Sequence, residues 1–224
     1  MVFFDSKGII NLMRAALIFP LAATCAGLWA QEQPTYTFGT TVVSSSGLQG
    51  RIYYLRKTTK RLPRFDRKHP VGTIYTKTLA IWPRRFDEGF PGLTKRFEWF
   101  AIDYSGRIWI EKSSKYRFSL LSDDGAKLDI DGQTVIDNDG LHVAASGSAS
   151  AVLTRGVHDI RISYFQGPRF SVALVLAIAR EGEPWRIFNS DDFKPPADAG
   201  EWSAGGVREI VPESNRLLEL NFVP

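Results

Sequence analysis

Cysteine is nearly missing from this chain: its 224 residues contain one, Cys25. It falls inside the leader described below, so the mature protein would have no disulfide, no thiolate nucleophile and no cysteine-based zinc site. Histidine is scarce too. His69, His142 and His158 are far apart and lack metal-ligand spacing. The sequence has no Gly-x-Ser-x-Gly elbow, no Walker loop and no dinucleotide fingerprint. A glycosidase-like carboxylate pair could be drawn from Glu98 and Glu111, but both read as outward strand positions. No enzyme is expected. Charge of one sign is not in large excess either: 28 Lys and Arg against 24 Asp and Glu leave +4, which does not by itself imply nucleic acid. With 44% hydrophobic and 23% charged residues, a disordered tail, a collagenous rod and a multi-span membrane protein are all excluded.

What is present begins with a leader. In residues 12–30, Arg14 precedes an apolar run that ends in small residues, the shape of a secretory signal peptide over residues 1–30. Cleavage after Ala30 would leave Gln31 first, and Met13-Arg14 makes a more ordinary start than Met1. The run is short and interrupted by Pro20 and Gly27, so it does not read as a membrane span, and none is expected in the mature chain. A lipid anchor at Cys25 is the alternative, with Thr24 a poor residue before it. The expected location is therefore secreted, periplasmic or cell-surface. About 190 residues remain, enough for one domain with a sizeable core.

Residues 31–46 are polar and weakly patterned and read as a linker. From Gly47 onward, short alternating segments recur between Gly, Asp, Asn and Ser. Tyr116, Phe118 and Leu120 share a face, as do Leu128 and Ile130, Ile160, Ile162 and Tyr164, and Phe170, Val172, Leu174, Leu176 and Ile178. A period of two is what half-buried strands produce. Phe97–Tyr104 and Arg107–Glu111 read as a strand pair around a Ser105-Gly106 turn, and one brief helix is expected near Asp87–Leu93. The expected fold is all-β, a two-sheet antiparallel β-sandwich with one short helix, over residues 47–181. Residues 182–224 read as a C-terminal extension in which 189–206 form a linker or flap. There Leu218, Leu220 and Phe222 suggest a last strand, with a possible protein partner at 217–222.

Charges are unevenly placed. Between Arg51 and Lys68 the bases Arg51, Arg56, Lys57, Lys60, Arg61, Arg64, Arg67 and Lys68 face one acid, Asp66. Tyr53, Tyr54 and Phe65 interleave them, which superficially suits nucleic acid. In an exported protein, a solvated loop or contact with anionic surface glycan is the favoured reading. Between Asp123 and Asp139 the balance reverses, with Asp123, Asp124, Asp129, Asp131, Asp137 and Asp139 against Lys127. Adjacent carboxylates on a turn repel each other unless a cation lies between them, and calcium, wanting six to eight oxygens, suits such a turn. The plainer alternative is that Asp-Gly pairs simply make hairpin turns. An EF-hand spacing is absent.

The run FSLLSDDGAKLDIDGQTVIDNDGLH, followed by LTRGVHDIRISYFQG, resembles the domain family named after the fourteen-kilodalton piece of anthrax protective antigen. The preceding GFPGLTKRFEWFAIDYSGRIWIEKSSKYRF fits its earlier strands, and the likeness covers Gly47 to Arg180. It implies a lectin-like two-sheet sandwich found in bacterial surface proteins, glycosidase accessory modules, toxins and flocculins. In the sugar-binding members, paired aspartates joined by a cis peptide bind calcium with a side-chain amide and carbonyls of a second loop. The calcium then takes vicinal sugar hydroxyls. Carried over, the pair is Asp123-Asp124, and the second loop is Tyr164 to Arg169. The implied calcium ligands are Asp123, Asp124, Gln166 and Pro168; the implied carbohydrate contacts are Asp123, Asp124, Phe165, Gln166 and Arg169. Flocculins have Asn where this chain has Gln166, whose carbonyl sits on a stem one methylene longer. Phe165 or Phe170 would pack on the sugar's apolar face, although Phe170 reads as core by alternation. His142 and His158 fit the family frame as structural residues. The resemblance thus implies an exported, calcium-dependent carbohydrate-binding module acting in adhesion, with a glycan or cell-surface polysaccharide as partner and no nucleic acid. The alternative is a non-catalytic structural or protein-interaction domain of the envelope without calcium, with a trans Asp123–Asp124 bond.

Overall fold

The computed structural model describes residues 36–38, 41–43, 47–94, 96–194 and 206–213. The strands among them are β1 (Tyr36–Phe38), β2 (Thr41–Val43), β3 (Leu48–Tyr54), β4 (Gly72–Thr76), β5 (Ala80–Arg85), β6 (Phe100–Ile110) and β7 (Ser114–Asp123). They continue with β8 (Ala126–Ile130), β9 (Gln133–Asn138), β10 (Ala145–Leu153), β11 (Gly156–Gln166), β12 (Ser171–Arg180), β13 (Arg186–Ile187) and β14 (Val207–Glu213). One sheet has the order β4-β3-β6-β11-β8-β9, and the other β13-β12-β7-β10-β14 with β5 also on β12. All their pairings are antiparallel. Inward residues of both sheets form one core: Phe100, Ile102, Tyr104, Ile160, Ile162 and Tyr164 from the first, and Phe118, Leu120, Leu174, Leu176 and Ile178 from the second. This is the expected all-β two-sheet sandwich.

Several details differ from the sequence expectation. Ser105-Gly106 is no turn. It lies inside the continuous strand β6, opposite Arg161 and Ile160 of β11. A Cβ on Gly106 would come 2.8 Å from Leu48 Cδ2, so the glycine lies at a close approach rather than at a reversal. The helix expected near Asp87–Leu93 is a single 3-10 turn, Phe86–Glu88. Gly89 at φ 80° stops it, and Pro91 and Gly92 (φ 84°) prevent its resumption. Strand β12 alternates less than its sequence suggested, since Val172 through Ala179 are all buried. It is an inner strand of its sheet, paired with β7 on one edge and with β5 and β13 on the other.

Outside the sandwich proper, β1 and β2 pair as a short hairpin within the stretch read as a linker. Within the stretch 189–206 read as a flap, Ser190–Phe193 form a 3-10 turn whose Phe193 is buried and stacks on Phe188 at 5.5 Å. Strand β14 extends the second sheet along β10. The leader, Cys25 and the strand expected over 217–222 lie outside the described residues. No helix among the described residues is long and apolar enough to cross a membrane.

The continuity of β6 makes a test. A single residue inserted after Gly106 would turn Ile108 and Ile110 from core to solvent, because strand side chains alternate. Such an insertion is expected to abolish cooperative thermal unfolding, whereas a true turn at that place would tolerate it.

Candidate functional site

Three connections cross between the sheets at one end of the sandwich: Asp124-Gly125 from β7 to β8, Asp139–Ala144 from β9 to β10, and Gly167–Phe170 from β11 to β12. Asp124 ties them together. Its Oδ2 accepts from the Gly167 N–H at 2.8 Å and its Oδ1 from the His142 N–H at 3.1 Å. The preceding Asp123–Asp124 bond is cis, as the resemblance implied and unlike the trans bond of the alternative. Asp123 and Asp124 are 6% and 5% exposed. Glycines make the approach possible. A Cβ on Gly125 would stand 2.6 Å from the Gly140 nitrogen and 2.5 Å from Phe165, and one on Gly167 would lie 3.1 Å from Asp124 Oδ2.

Electrostatically the pair is uncomfortable. Burial and, after it, the charge of Asp124 push the Asp123 carboxyl up to about 6, against hydrogen bonds from the Ala144 N–H and Ser171. Burial also raises Asp124, opposed by the Gly167 and His142 N–H groups. Beneath them, the buried Tyr164 hydroxyl lies 2.6 Å from the Asp123 carbonyl and 2.7 Å from Gln166 Oε1. Burial holds that phenol protonated well beyond its ordinary range.

The site residues expected from sequence separate into two groups. Asp123 and Asp124, neighbours in sequence, lie against the Gly167–Phe170 loop, whose Gly167 N–H reaches Asp124. Gln166 does not present its amide as a ligand. It is fully buried, its Oε1 faces Tyr164, and its Nε2 donates to the carbonyls of Pro168 (3.2 Å) and Ser171 (3.0 Å). It braces the loop from behind, and the Pro168 carbonyl is engaged by that brace. Phe165 is corrected more firmly. With no exposure, it packs with Tyr53, Leu55 and Ala101 and cannot reach a ligand. Arg169 is at the surface, paired with Glu98 at 3.3 Å and 5.9 Å from the Phe86 ring.

Phe170 reverses its expected place. It is 82% exposed at φ 121° and precedes β12 instead of opening it. The sequence carries a signal for this, because Gly167-Pro168-Arg169 marks a loop and the strand starts only at Ser171. Leu141 and Val143, 41% and 82% exposed, add apolar surface on the neighbouring loop, and Leu141 approaches Gly167 closely. His142 contributes its backbone N–H to Asp124 while its ring nitrogens face the carbonyls of Val143 and Asn138. His158 is structural, held between Asp131 at 2.7 Å and the Thr154 carbonyl at 2.8 Å.

The donor chemistry suits a hard dication at its carboxylate end, where each ionised group has spare lone pairs and the buried charge is of one sign. It does not extend to Gln166. Among the described residues, no group of three or more His, Cys, Asp and Glu comes together as a metal cluster. The fit is therefore to Asp123 and Asp124 alone, with remaining positions left to backbone, solvent or a bound molecule.

A family model described as PA14 domain matches residues 44–184. The chain belongs to the PA14 domain family. This is the protective-antigen family that the Ser-Asp-Asp-Gly frame resembles. Among solved structures, the PA14 domain of the MpAFP antifreeze protein is 17% identical over 65% of this chain and 88% of its own, with a TM-score of 0.52. A PA14 sugar-binding domain from an RTX adhesin is 17% identical over 65% of this chain and 96% of its own, with a TM-score of 0.51. An anti-sigma factor domain-containing protein from Clostridium clariflavum is 20% identical over 70% of this chain, with a TM-score of 0.52, and the match spans 50% of its length. At these identities the likeness shows the PA14 fold. No curated protein matches the chain.

The raised Asp123 carboxyl has a pH consequence. Its folded form binds a proton more readily than its unfolded form, so its contribution favours folding in acid and is lost as pH rises through about 6. In chelator, the melting temperature of the protein minus that of an Asp123→Asn variant is expected to fall as pH rises from about 4 to about 7. A difference that rises over that window would contradict the assignment.

Proposed function

We propose that this PA14 domain is an exported carbohydrate-binding module without catalytic activity, and that it grips its saccharide at the Asp123–Asp124 loop with the help of calcium. The carrying observation is the convergence of three inter-sheet loops on a buried carboxylate pair, beneath an exposed rim of Phe170, Leu141 and Val143. The RTX adhesin domain, described as sugar-binding, shares the fold and supports the reading. The leader over residues 1–30 supports export.

The residues divide the work as follows. Asp123 and Asp124 would hold the ion, which when bound supplies a site that orients vicinal sugar hydroxyls. Backbone N–H groups of Gly167 and His142 keep Asp124 aimed, each using one lone pair of a carboxylate oxygen and leaving another free. Tyr164 and Gln166 fix the loop that carries Arg169 and Phe170. The exposed Phe170 ring offers an apolar face for the C–H side of a pyranose, and Arg169 offers donors to its hydroxyls.

A glycan array run with calcium and with chelator tests this. Chelator-sensitive binding is expected, lost in Asp123→Asn while circular dichroism remains that of a β-sandwich. Phe170→Ala is expected to weaken binding by about tenfold, comparable to one ring-stacking contact. Binding indifferent to both chelator and Asp123→Asn would remove the proposal.

A further inference from the structure

The eight bases between Arg51 and Lys68, opposed by Asp66 alone, are all exposed. That is a net +7 on a segment of a chain whose total is +4. Among the described residues only two of them have ion pairs: Arg64 with Asp66 at 3.5 Å and Arg61 with Asp139 at 3.9 Å. Like charges this close repel within the screening length of about 10 Å at moderate salt. A run left to solvent would ordinarily stand away from the fold and dilute that repulsion.

This run is fastened down instead, beside the carboxylate pair. The Leu62 N–H donates to Asp139 Oδ1 at 2.8 Å, and the same Asp139 oxygen lies 2.9 Å from where a Gly125 Cβ would stand. Leu62 and Phe65 pack on the Tyr53, Leu55, Ala101 and Phe165 cluster. The Phe65 ring lies 5.0 Å from that of Tyr53, with the guanidinium of Arg161 at 5.5 Å and itself paired to Asp103. Beyond the turn, the Val71 N–H returns to the Ile52 carbonyl at 2.7 Å. The cations are thus presented along one flank of the site by an apolar anchor.

Resting on the saccharide-binding reading above, we propose that the Arg56–Lys68 segment extends that site into a cationic flank that selects an acidic polysaccharide, one carrying carboxylate or sulfate on its sugars. Single-stranded nucleic acid suits the surface less well because it needs aromatic platforms. Here Tyr53 is 3% exposed and Phe65 is turned onto it, which leaves Tyr54, 41% exposed with Arg96 at 4.5 Å from its ring, as the one open ring of the three.

The test titrates the full chain, in calcium, with a soluble oligouronate, a sulfated oligosaccharide, a neutral oligosaccharide and a single-stranded DNA oligonucleotide over a range of salt. The variants are Asp123→Asn, at a buried position, and the combination of Lys57→Gln, Lys60→Gln, Arg67→Gln and Lys68→Gln, whose four positions are exposed. One of the acidic oligosaccharides is expected to bind about tenfold or more tighter than the neutral one, with affinity falling as salt rises. The combined variant is expected to lose that preference and keep the neutral binding. An unchanged preference in the combined variant, or DNA bound as tightly as either acidic sugar, overturns the inference while leaving the saccharide site intact. Neutral binding that survives Asp123→Asn overturns the saccharide site itself. Acidic binding that ignores Asp123→Asn but is lost in the combined variant overturns the joining of the two surfaces.

Discussion

Two neighbouring carboxylates, each about nineteen-twentieths buried, are the constraint around which this end of the sandwich is organised. Taking one such group from water is costly unless it is hydrogen-bonded or paired with opposite charge. The chain meets the first condition with backbone N–H groups, which come from two other loops and so bind three connections into one unit. It does not meet the second: among the described residues, no ion pair reaches either carboxylate. Burial and, after it, the charge of Asp124 accordingly push the Asp123 carboxyl up to about 6.

The rest of the local architecture serves that arrangement. At Gly125 a Cβ would meet the Gly140 backbone nitrogen at 2.6 Å, and at Gly167 it would crowd Leu141 and Asp124. Tyr164 supports the Asp123 carbonyl from the core, and Gln166 converts the loop to Phe170 into a braced structure. The brace explains how an exposed phenylalanine at positive φ can be held out from the fold, with its own carbonyl accepting from the Phe86 N–H at 3.1 Å. A glutamine is suited to this role because its longer stem lets one amide span the carbonyls of Pro168 and Ser171. In the family frame that position was expected to face an ion; here it faces the backbone.

Much of the fold was legible because the alternation of β8 and β11 is a local signal that survives folding. The acidic turn was legible for a similar reason, since adjacent aspartates followed by glycine are conspicuous in sequence. What could not be read was anything set by neighbours distant in the chain. Whether Phe165 faced ligand or core depended on Tyr53, Leu55 and Ala101, which lie elsewhere in the chain. Gly106 looked like a turn because the residue it packs against, Leu48, lies far away in sequence. The basic segment gave no hint that it would be fastened beside the site, because its tether is a backbone N–H to Asp139.

The central claim is that the charge deficit of the Asp123–Asp124 pair is completed by a dication. The most direct measurement is calorimetric titration of calcium into chelator-stripped protein at about pH 6 in buffers of different ionisation heat. The account predicts saturable binding in the millimolar range or tighter, as for extracellular sites, with protons released as Asp123 ionises. Absence of any saturable heat, or binding that releases no proton and persists in Asp123→Asn, would contradict it.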